Sequence, residues 1–167
     1  MNSTAVRLSE EIVRTAGKYA PVNSRSVPKQ IEHWAKIGKI AEENPDLPYE
    51  FIKKVLEARE EMKTEKPLPY VFGWKLEIEH YPSFLKTLKR LRKNEKKDLD
   101  DAVRAVAKDI NIGELKKGDL NGIRVYKFHM VNQLALLAYE YDDVSDKITL
   151  LSFGSHENFY RDLKKKI

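Results

Sequence analysis

Ser3-Thr4-Ala5-Val6-Arg7-Leu8 alternates like a strand, with Thr4, Val6 and Leu8 on one face and Ser3, Ala5 and Arg7 on the other. Up to the first proline-rich break, everything that follows it has helical periodicity. Ser9 stands as an N-cap with Glu10 and Glu11 behind it, opening a helix that runs to about Tyr19. A second helix begins around Ser24–Ser26, with Pro28 in its first turn and a stripe of Ile31, Trp34, Ala35, Ile37 and Ile40. A third, from Tyr49 to about Met62, puts Phe51, Ile52, Val55, Leu56 and Met62 on its apolar side. One short strand with small helices cannot bury its apolar face within a single chain. Pairing with the same strand of a second copy makes a two-stranded antiparallel ribbon, its inner face on the helices and its outer face free to enter a DNA major groove. The expected partner is therefore a twin: a homodimer built through the N-terminal strand.

The strongest break is Lys63-Thr64-Glu65-Lys66-Pro67-Leu68-Pro69, and a weaker one is Asn44-Pro45-Asp46-Leu47-Pro48. They divide the chain into a first domain over 1–62, a linker over 63–70 and a second domain over 71–167. The 167 residues carry 31 Lys+Arg against 26 Asp+Glu, a net charge of +5. Residues 1–64 hold 11 basic and 10 acidic side chains and residues 65–167 hold 20 and 16, so the positive excess lies in the second half. The absence of cysteine excludes disulfide frameworks, cysteine zinc sites and cysteine nucleophiles, and fits a reducing compartment. With no signal pattern and no apolar run near the roughly 18 residues of a membrane span, the expectation is a cytoplasmic protein with no membrane partner. Asp98-Leu99-Asp100-Asp101 and Asp142-Asp143 lack the spacing and histidine partners of a metal site and are expected to cap a helix and fill a turn. No metal or other cofactor is called for.

The second half reads as a strand over Val71–Ile78, helices over Pro82–Arg92 and Lys96–Ile110, a loop over Leu115–Asp119, and strands over Ile123–Val131, Leu134–Tyr141 and Ile148–Phe153. Asn132-Gln133 makes a tight hairpin, Asp142–Lys147 a looser one, and Glu157–Lys166 a closing helix. The fold class is α+β. Lys86, Lys89, Arg90 and Lys93 fall at i, i+3, i+4 and i+7, the spacing of one helix face, with Leu85, Leu88 and Leu91 toward the core. The stretch 84–97 has seven basic residues against one acidic, which suits a polyanionic partner.

The strand, the two helices and the segment Ser24-Arg25-Ser26-Val27-Pro28-Lys29-Gln30-Ile31-Glu32-His33-Trp34 with Ile37-Gly38 resemble ribbon-helix-helix repressors, and more closely the ParD-like antitoxins of type II toxin–antitoxin modules. The resemblance implies that Ser3, Ala5 and Arg7 face base edges of operator DNA. It also implies that Ser24, Arg25, Ser26 and Lys29 clasp a phosphate at the second helix's N-terminus. The order of the second half, with Leu120-Asn121-Gly122 before the hairpin and Phe153-Gly154-Ser155-His156-Glu157-Asn158-Phe159-Tyr160 after the last strand, resembles the RelE/ParE superfamily of toxins. RelE-like members of that superfamily cleave messenger RNA on the ribosome, and ParE-like members poison DNA gyrase. The implied architecture is an antiparallel sheet with two N-terminal helices and a short C-terminal helix.

Metal-independent RNA cleavage needs a base for the 2'-hydroxyl, an acid for the leaving oxygen, cations for the phosphorane and stacking surfaces for the bases. Laid against the RelE pattern, Lys127 and His129 fall where the family has two basic residues two apart, and His156 falls on its arginine after the last strand. The resemblance thus implies proton transfer by His156 and His129, phosphorane stabilisation by Lys127, and stacking or proton transfer by Tyr160. Lys86, Lys89, Arg90, Lys93 and Phe159 would contact RNA or the ribosome. RelE-like nucleases usually carry an arginine on the strand after the tight hairpin, and Leu134-Ala135-Leu136-Leu137-Ala138 has none. In two-gene modules the antitoxin's C-terminal segment wraps the toxin. Here Tyr49, Phe51, Ile52, Val55 and Leu56 form the amphipathic face for such an inhibitory clamp, held at roughly millimolar effective concentration by the tether. The expected protein is a silenced mRNA endoribonuclease that represses its own operator. A gyrase poison, or a DNA-binding regulator with an inactive toxin fold, are the alternatives.

Overall fold

The computed structural model describes residues 4–70 and 77–156. Ser3, Phe159 and Tyr160, most of the strand expected over Val71–Ile78 and the helix expected over Glu157–Lys166 lie outside the described residues. The chain forms two compact units, Met1–Lys39 and Ile40–Ile167. Among the described residues no helix is long and apolar enough to cross a membrane.

In the first unit, Thr4–Leu8 are exposed and join no ladder, Val6 at 73%. The expected strand is thus not a strand in the single chain, because an edge with nothing beside it has no backbone partners to define it. Helix α1 spans Glu10–Val22, with the Ser9 hydroxyl accepting from the Ile12 amide at 3.4 Å. It runs past Tyr19 and through Pro21. Asn23 ends it, giving its amide and side-chain nitrogen to the Tyr19 carbonyl at 3.1 and 3.0 Å. Helix α2 spans Val27–Glu43 and starts from a Ser26 hydroxyl that accepts from the Lys29 amide at 3.4 Å. Tyr19 meets Trp34 edge-on, with ring centroids 6.0 Å apart.

The second unit is built on a six-stranded sheet in the order β1-β2-β6-β5-β4-β3. Its strands are β1 Leu68–Pro69, β2 Glu77–His80, β3 Glu114–Leu115, β4 Ile123–Met130, β5 Gln133–Asp142 and β6 Lys147–Ser155. Helices α3 (Tyr49–Thr64), α4 (Pro82–Leu88) and α5 (Lys93–Lys108) complete it. The sheet is mixed rather than purely antiparallel: β2 runs parallel to β6. Helices α4 and α5 and strands β3 to β5 separate these two strands, more than the dozen residues a parallel crossover needs. The expected linker also contributes structure. Leu68 and Pro69 pair with His80 and Glu79 at the sheet edge, where a proline's missing amide is tolerated. The expected loop at Leu115 begins as the short strand β3, paired to Val125 and Arg124.

The β4–β5 hairpin turns on Val131 and Asn132, one residue earlier than expected, both with positive φ (48° and 64°). That is the two-residue turn that matches sheet twist. The Asp98 side chain accepts from the Val131 amide at 2.9 Å. Asp98, Asp100 and Asp101 therefore sit inside α5 instead of capping it, and Asp100 accepts from the Tyr70 hydroxyl at 2.6 Å. Asp142 does fill its turn, accepting from Val144 and Ser145.

The sheet is buried on both sides. On the back face Phe128, Leu137, Tyr139, Leu150 and Phe153 form the main core with Phe84 of α4 and Leu99, Val103 and Val106 of α5. The front face carries Ile123, Val125, Lys127 and His129 of β4, and α3 packs on β6 of this sheet. Full burial of Ala135–Tyr139 in β5 and Ile148–Phe153 in β6 follows from having helices on both sides.

Candidate functional site

Alternation along β4 sends Lys127 and His129 to the front face and Arg124 to the back, where its guanidinium donates to the Gly113 carbonyl at 3.0 Å. Register gathers the other members. Lys127 pairs with Leu136, which pairs with Gly154, and His129 pairs with Leu134. The His156 amide donates to the Leu134 carbonyl at 2.8 Å, extending the same ladder beyond β6. Three neighbouring strands thereby bring Lys127, His129 and His156 to the hairpin end of one face. Leu134, Leu136 and Ala138 occupy the β5 rows between them, so the centre of this face is apolar.

The side chain that meets Lys127 comes from the connection between α2 and α3. Asp46 Oδ2 lies 3.1 Å from Lys127 Nζ. The same carboxylate takes both its oxygens to Lys116 Nζ, at 2.9 and 2.8 Å. Burial pushes the Asp46 carboxyl up. The hydrogen bonds and charges of Lys116 and Lys127 outweigh that and hold it below the ordinary aspartate value of 3.8. Lys116 is a buried cation with its side chain 1% exposed, and Glu114 Oε2 stands 3.4 Å from its Nζ. Two further residues fasten the same connection. Asn44 donates to the Lys117 carbonyl at 3.3 Å and accepts from the Lys117 amide at 3.0 Å, so its amide group mimics a strand edge. Gly118, at φ +60°, follows immediately, and a Cβ there would run into the Glu43 carboxylate.

Helix α3 lies over the front face. Phe51, Ile52, Val55 and Ala58 are buried at i, i+1, i+4 and i+7. Leu56 is half-buried, and Tyr49 is 41% exposed, so Tyr49 stands off the buried face expected to include it. Gly154 shows how close the helix comes: a Cβ there would lie 3.9 Å from the Phe51 ring and 3.7 Å from Lys54 Nζ. Arg59 anchors the other end. Its Nε and Nη2 donate to Glu140 Oε1 at 3.0 and 2.8 Å, and its remaining donors reach the carbonyls of Asp119 at 2.6 Å and Asn121 at 2.8 Å. Glu61 accepts from the Ser83 amide at the start of α4, at 3.1 Å.

The basic stripe is reorganised. Helix α4 ends at Leu88, and α5 begins at Lys93 after the Arg92 amide donates to Glu95 at 2.7 Å. Leu88 and Leu91 both pack against the core, which forces the chain to turn where the spacing implied one continuous helix. Lys86, Lys89, Arg90 and Lys93 are all exposed, but around a corner between two helices and not along one face.

At the start of α2, Ser24 takes a positive φ of 52°, and Ser26 is engaged as the cap. Arg25 donates to Gln30 Oε1 at 3.2 Å, and Lys29 lies 2.6 Å from Glu32. Ala5 and Arg7 are exposed in the segment before α1.

Sequence reasoning did not single out Asp46, Lys116, Asn44 or Arg59. Asp46 sat in a break between two prolines, and Lys116 in what read as a loop. Only tertiary pairing, across 70 residues, gives these two their meaning.

The region with this geometry matches known families. Residues 78–164, just over half of the chain, match the ParE-like toxin of type II bacterial toxin–antitoxin systems, and residues 3–67 match the ParD-like antitoxin of such systems. No curated protein matches the chain. Among solved structures, the isolated E. coli RelE toxin is similar at 18% identity with a TM-score of 0.41, covering 53% of this chain and 95% of that one. A double arginine-to-alanine mutant of E. coli RelE in the free state gives 18%, 0.41, 54% and 95%. Helix α3 thus falls in the antitoxin match by sequence and in the sheet's compact unit by packing. The chain belongs to the ParE-like toxins of type II bacterial toxin–antitoxin systems, with a ParD-like antitoxin domain fused ahead of the toxin domain.

Proposed function

We propose that this fusion is a restrained toxin: residues 46–64 hold the front face of the toxin sheet closed, and the face beneath is the working surface. The observation that carries this reading is the seating of α3 over that face together with the Asp46 carboxylate on Lys127 Nζ. The chemistry assigned to the open face is metal-independent mRNA cleavage. His156 and His129 exchange protons with the 2'-hydroxyl and the leaving oxygen. Lys127 faces the phosphorane charge, and Tyr160 and Phe159 offer stacking surfaces. The exposed corner of Lys86, Lys89, Arg90 and Lys93 supplies attraction to ribosomal RNA. Gyrase poisoning is the second reading. It is favoured by the ParE-like family match and by the apolar Leu134–Ala138 strand, which has no phosphate-directed arginine.

The first unit supports a second role. Val6, Leu8, Ile12 and Val13 leave apolar surface in solvent next to an unpaired segment, as a homodimer built through that segment requires. In the dimer Ser3, Ala5 and Arg7 face operator DNA. The phosphate clasp by Ser24, Arg25, Ser26 and Lys29 requires Arg25 and Lys29 to leave Gln30 and Glu32.

The test is a full-length chain with α3 unseated by Phe51→Asp and Val55→Asp, induced in bacteria and compared with the parent. Growth arrest with cleaved ribosome-bound mRNA, abolished by His156→Ala, supports the nuclease. Arrest with intact mRNA and a DNA-damage response supports the gyrase reading, and growth without arrest refutes both. A gel shift with the chain's own promoter, weakened by Arg7→Ala, tests the operator role.

A further inference from the structure

Lys116 is a buried ammonium that the mechanism above does not use. Its side chain is 1% exposed, and its Nζ is held by both oxygens of Asp46 and, at 3.4 Å, by Glu114. A buried cation stripped of its counter-charge is unstable. Asp46 supplies both close oxygens and Glu114 only the longer contact, so losing Asp46 leaves Lys116 under-compensated and open to another anion. Lys127 Nζ reaches the same Oδ2 that Lys116 holds, 3.1 Å from one and 2.8 Å from the other. Two ammonium groups, one buried and one exposed, thus converge on one oxygen of a singly charged, two-oxygen group. A phosphodiester presents that pattern in its two non-bridging oxygens, with one charge shared between them.

The geometry points to a phosphate site formed by Lys116 and Lys127, which Asp46 fills from within the intact chain as a built-in competitor. Lys116 is placed by the backbone: its amide donates to the Ile123 carbonyl at 2.8 Å, at the start of the strand that carries Lys127. When the α2–α3 connection lifts, Asp46 leaves with it, and the two lysines face whatever lies on the front face. The inference rests on reading that face as the toxin's working surface. It adds a second phosphate-directed lysine and identifies the closing element as an acidic side chain as well as an apolar helix. The ligand chemistry is a phosphate group, supplied either by a nucleic-acid backbone or by free phosphate.

The experiment compares the full-length parent with Asp46→Asn by thermal melting in chloride and in inorganic phosphate at matched ionic strength. It then titrates both with a fluorescent, single-stranded 2'-deoxy oligonucleotide that cannot be cleaved by 2'-hydroxyl attack. For Asp46→Asn the midpoint rises by about 4 °C or more once phosphate exceeds its Kd about tenfold, whereas the parent does not respond. Oligonucleotide affinity rises about tenfold over the parent, equivalent to about 1.4 kcal/mol, and adding Lys127→Gln abolishes the gain. If phosphate binds and the oligonucleotide does not, the site stands and free phosphate is its ligand. An Asp46→Asn chain that folds only in phosphate also supports the site. A chain unfolded in both salts, one folded with no response to phosphate, or a gain that survives Lys127→Gln overturns it. Neither readout involves cleavage, so the site can stand while the nuclease reading fails, and the reverse.

Discussion

Arg59→Ala should loosen α3 from the sheet by an amount that can be worked from its contacts. The guanidinium makes two hydrogen bonds to Glu140 Oε1 and one each to the carbonyls of Asp119 and Asn121. A net hydrogen bond contributes about 1 kcal/mol, so the two carbonyls account for about 2 kcal/mol. The ion pair has side chains 29% and 22% exposed, so it belongs between surface and buried pairs. After screening it adds about 1 kcal/mol. The total is about 3 kcal/mol, or roughly 10 °C for a unit of this size. Urea unfolding of the full chain gives the difference as a shift in midpoint at constant slope. Glu140→Gln and the double substitution complete a cycle, in which the coupling should be about 1 kcal/mol. A loss below about 1 kcal/mol for Arg59→Ala, or strict additivity with Glu140→Gln, refutes the idea that this guanidinium pins the helix.

Three further outcomes follow from the same contacts. Because the Asp46 carboxyl is held below its ordinary value in the folded chain, the unfolded chain binds the extra proton first as pH falls. Its stabilisation is full at neutral pH and fades below about pH 4, so the stability gap between the parent and Asp46→Asn, followed by urea unfolding across pH, should close there. A gap that stays constant into acid removes the ion pair from the account. Gly154→Ala should be tolerated within about 0.5 kcal/mol, since its Cβ meets only ordinary contacts. Gly154→Phe should push α3 away and expose apolar surface to a dye such as ANS, and equal behaviour of the two variants would contradict the packing. Sedimentation should give a dimer of the 19.5 kDa chain, converted to monomer by Leu8→Asp; a monomeric parent defeats the ribbon.

Helix positions and the meander were readable because periodicity is local. Phe51, Ile52 and Val55 announced a buried face, and the two-residue spacing of Lys127 and His129 put them on one side of β4. The failures share a physical origin. The turn after Leu88 was hidden because Leu85, Leu88 and Leu91 keep helical spacing through it, and only the core that Leu88 and Leu91 enter decides where the chain bends. Pro67 and Pro69 read as linker residues, yet β2 offered an edge that Leu68 and Pro69 could join. Asp46 and Lys116 carried no signal at all, since a charge pair between distant positions leaves no periodic trace.

With α3 covalently continuous with the sheet that it covers, the antitoxin-like and toxin-like domains are made in a fixed ratio of one to one. Fluctuating translation cannot leave a surplus of either, and dilution cannot separate them. Uncovering the surface therefore calls for an event on the molecule itself, a displacement of the helix or a cut in the exposed stretch before Leu68. On the proposed restraint, a cell carrying this protein would respond to that event and not to a shortage of newly made antitoxin.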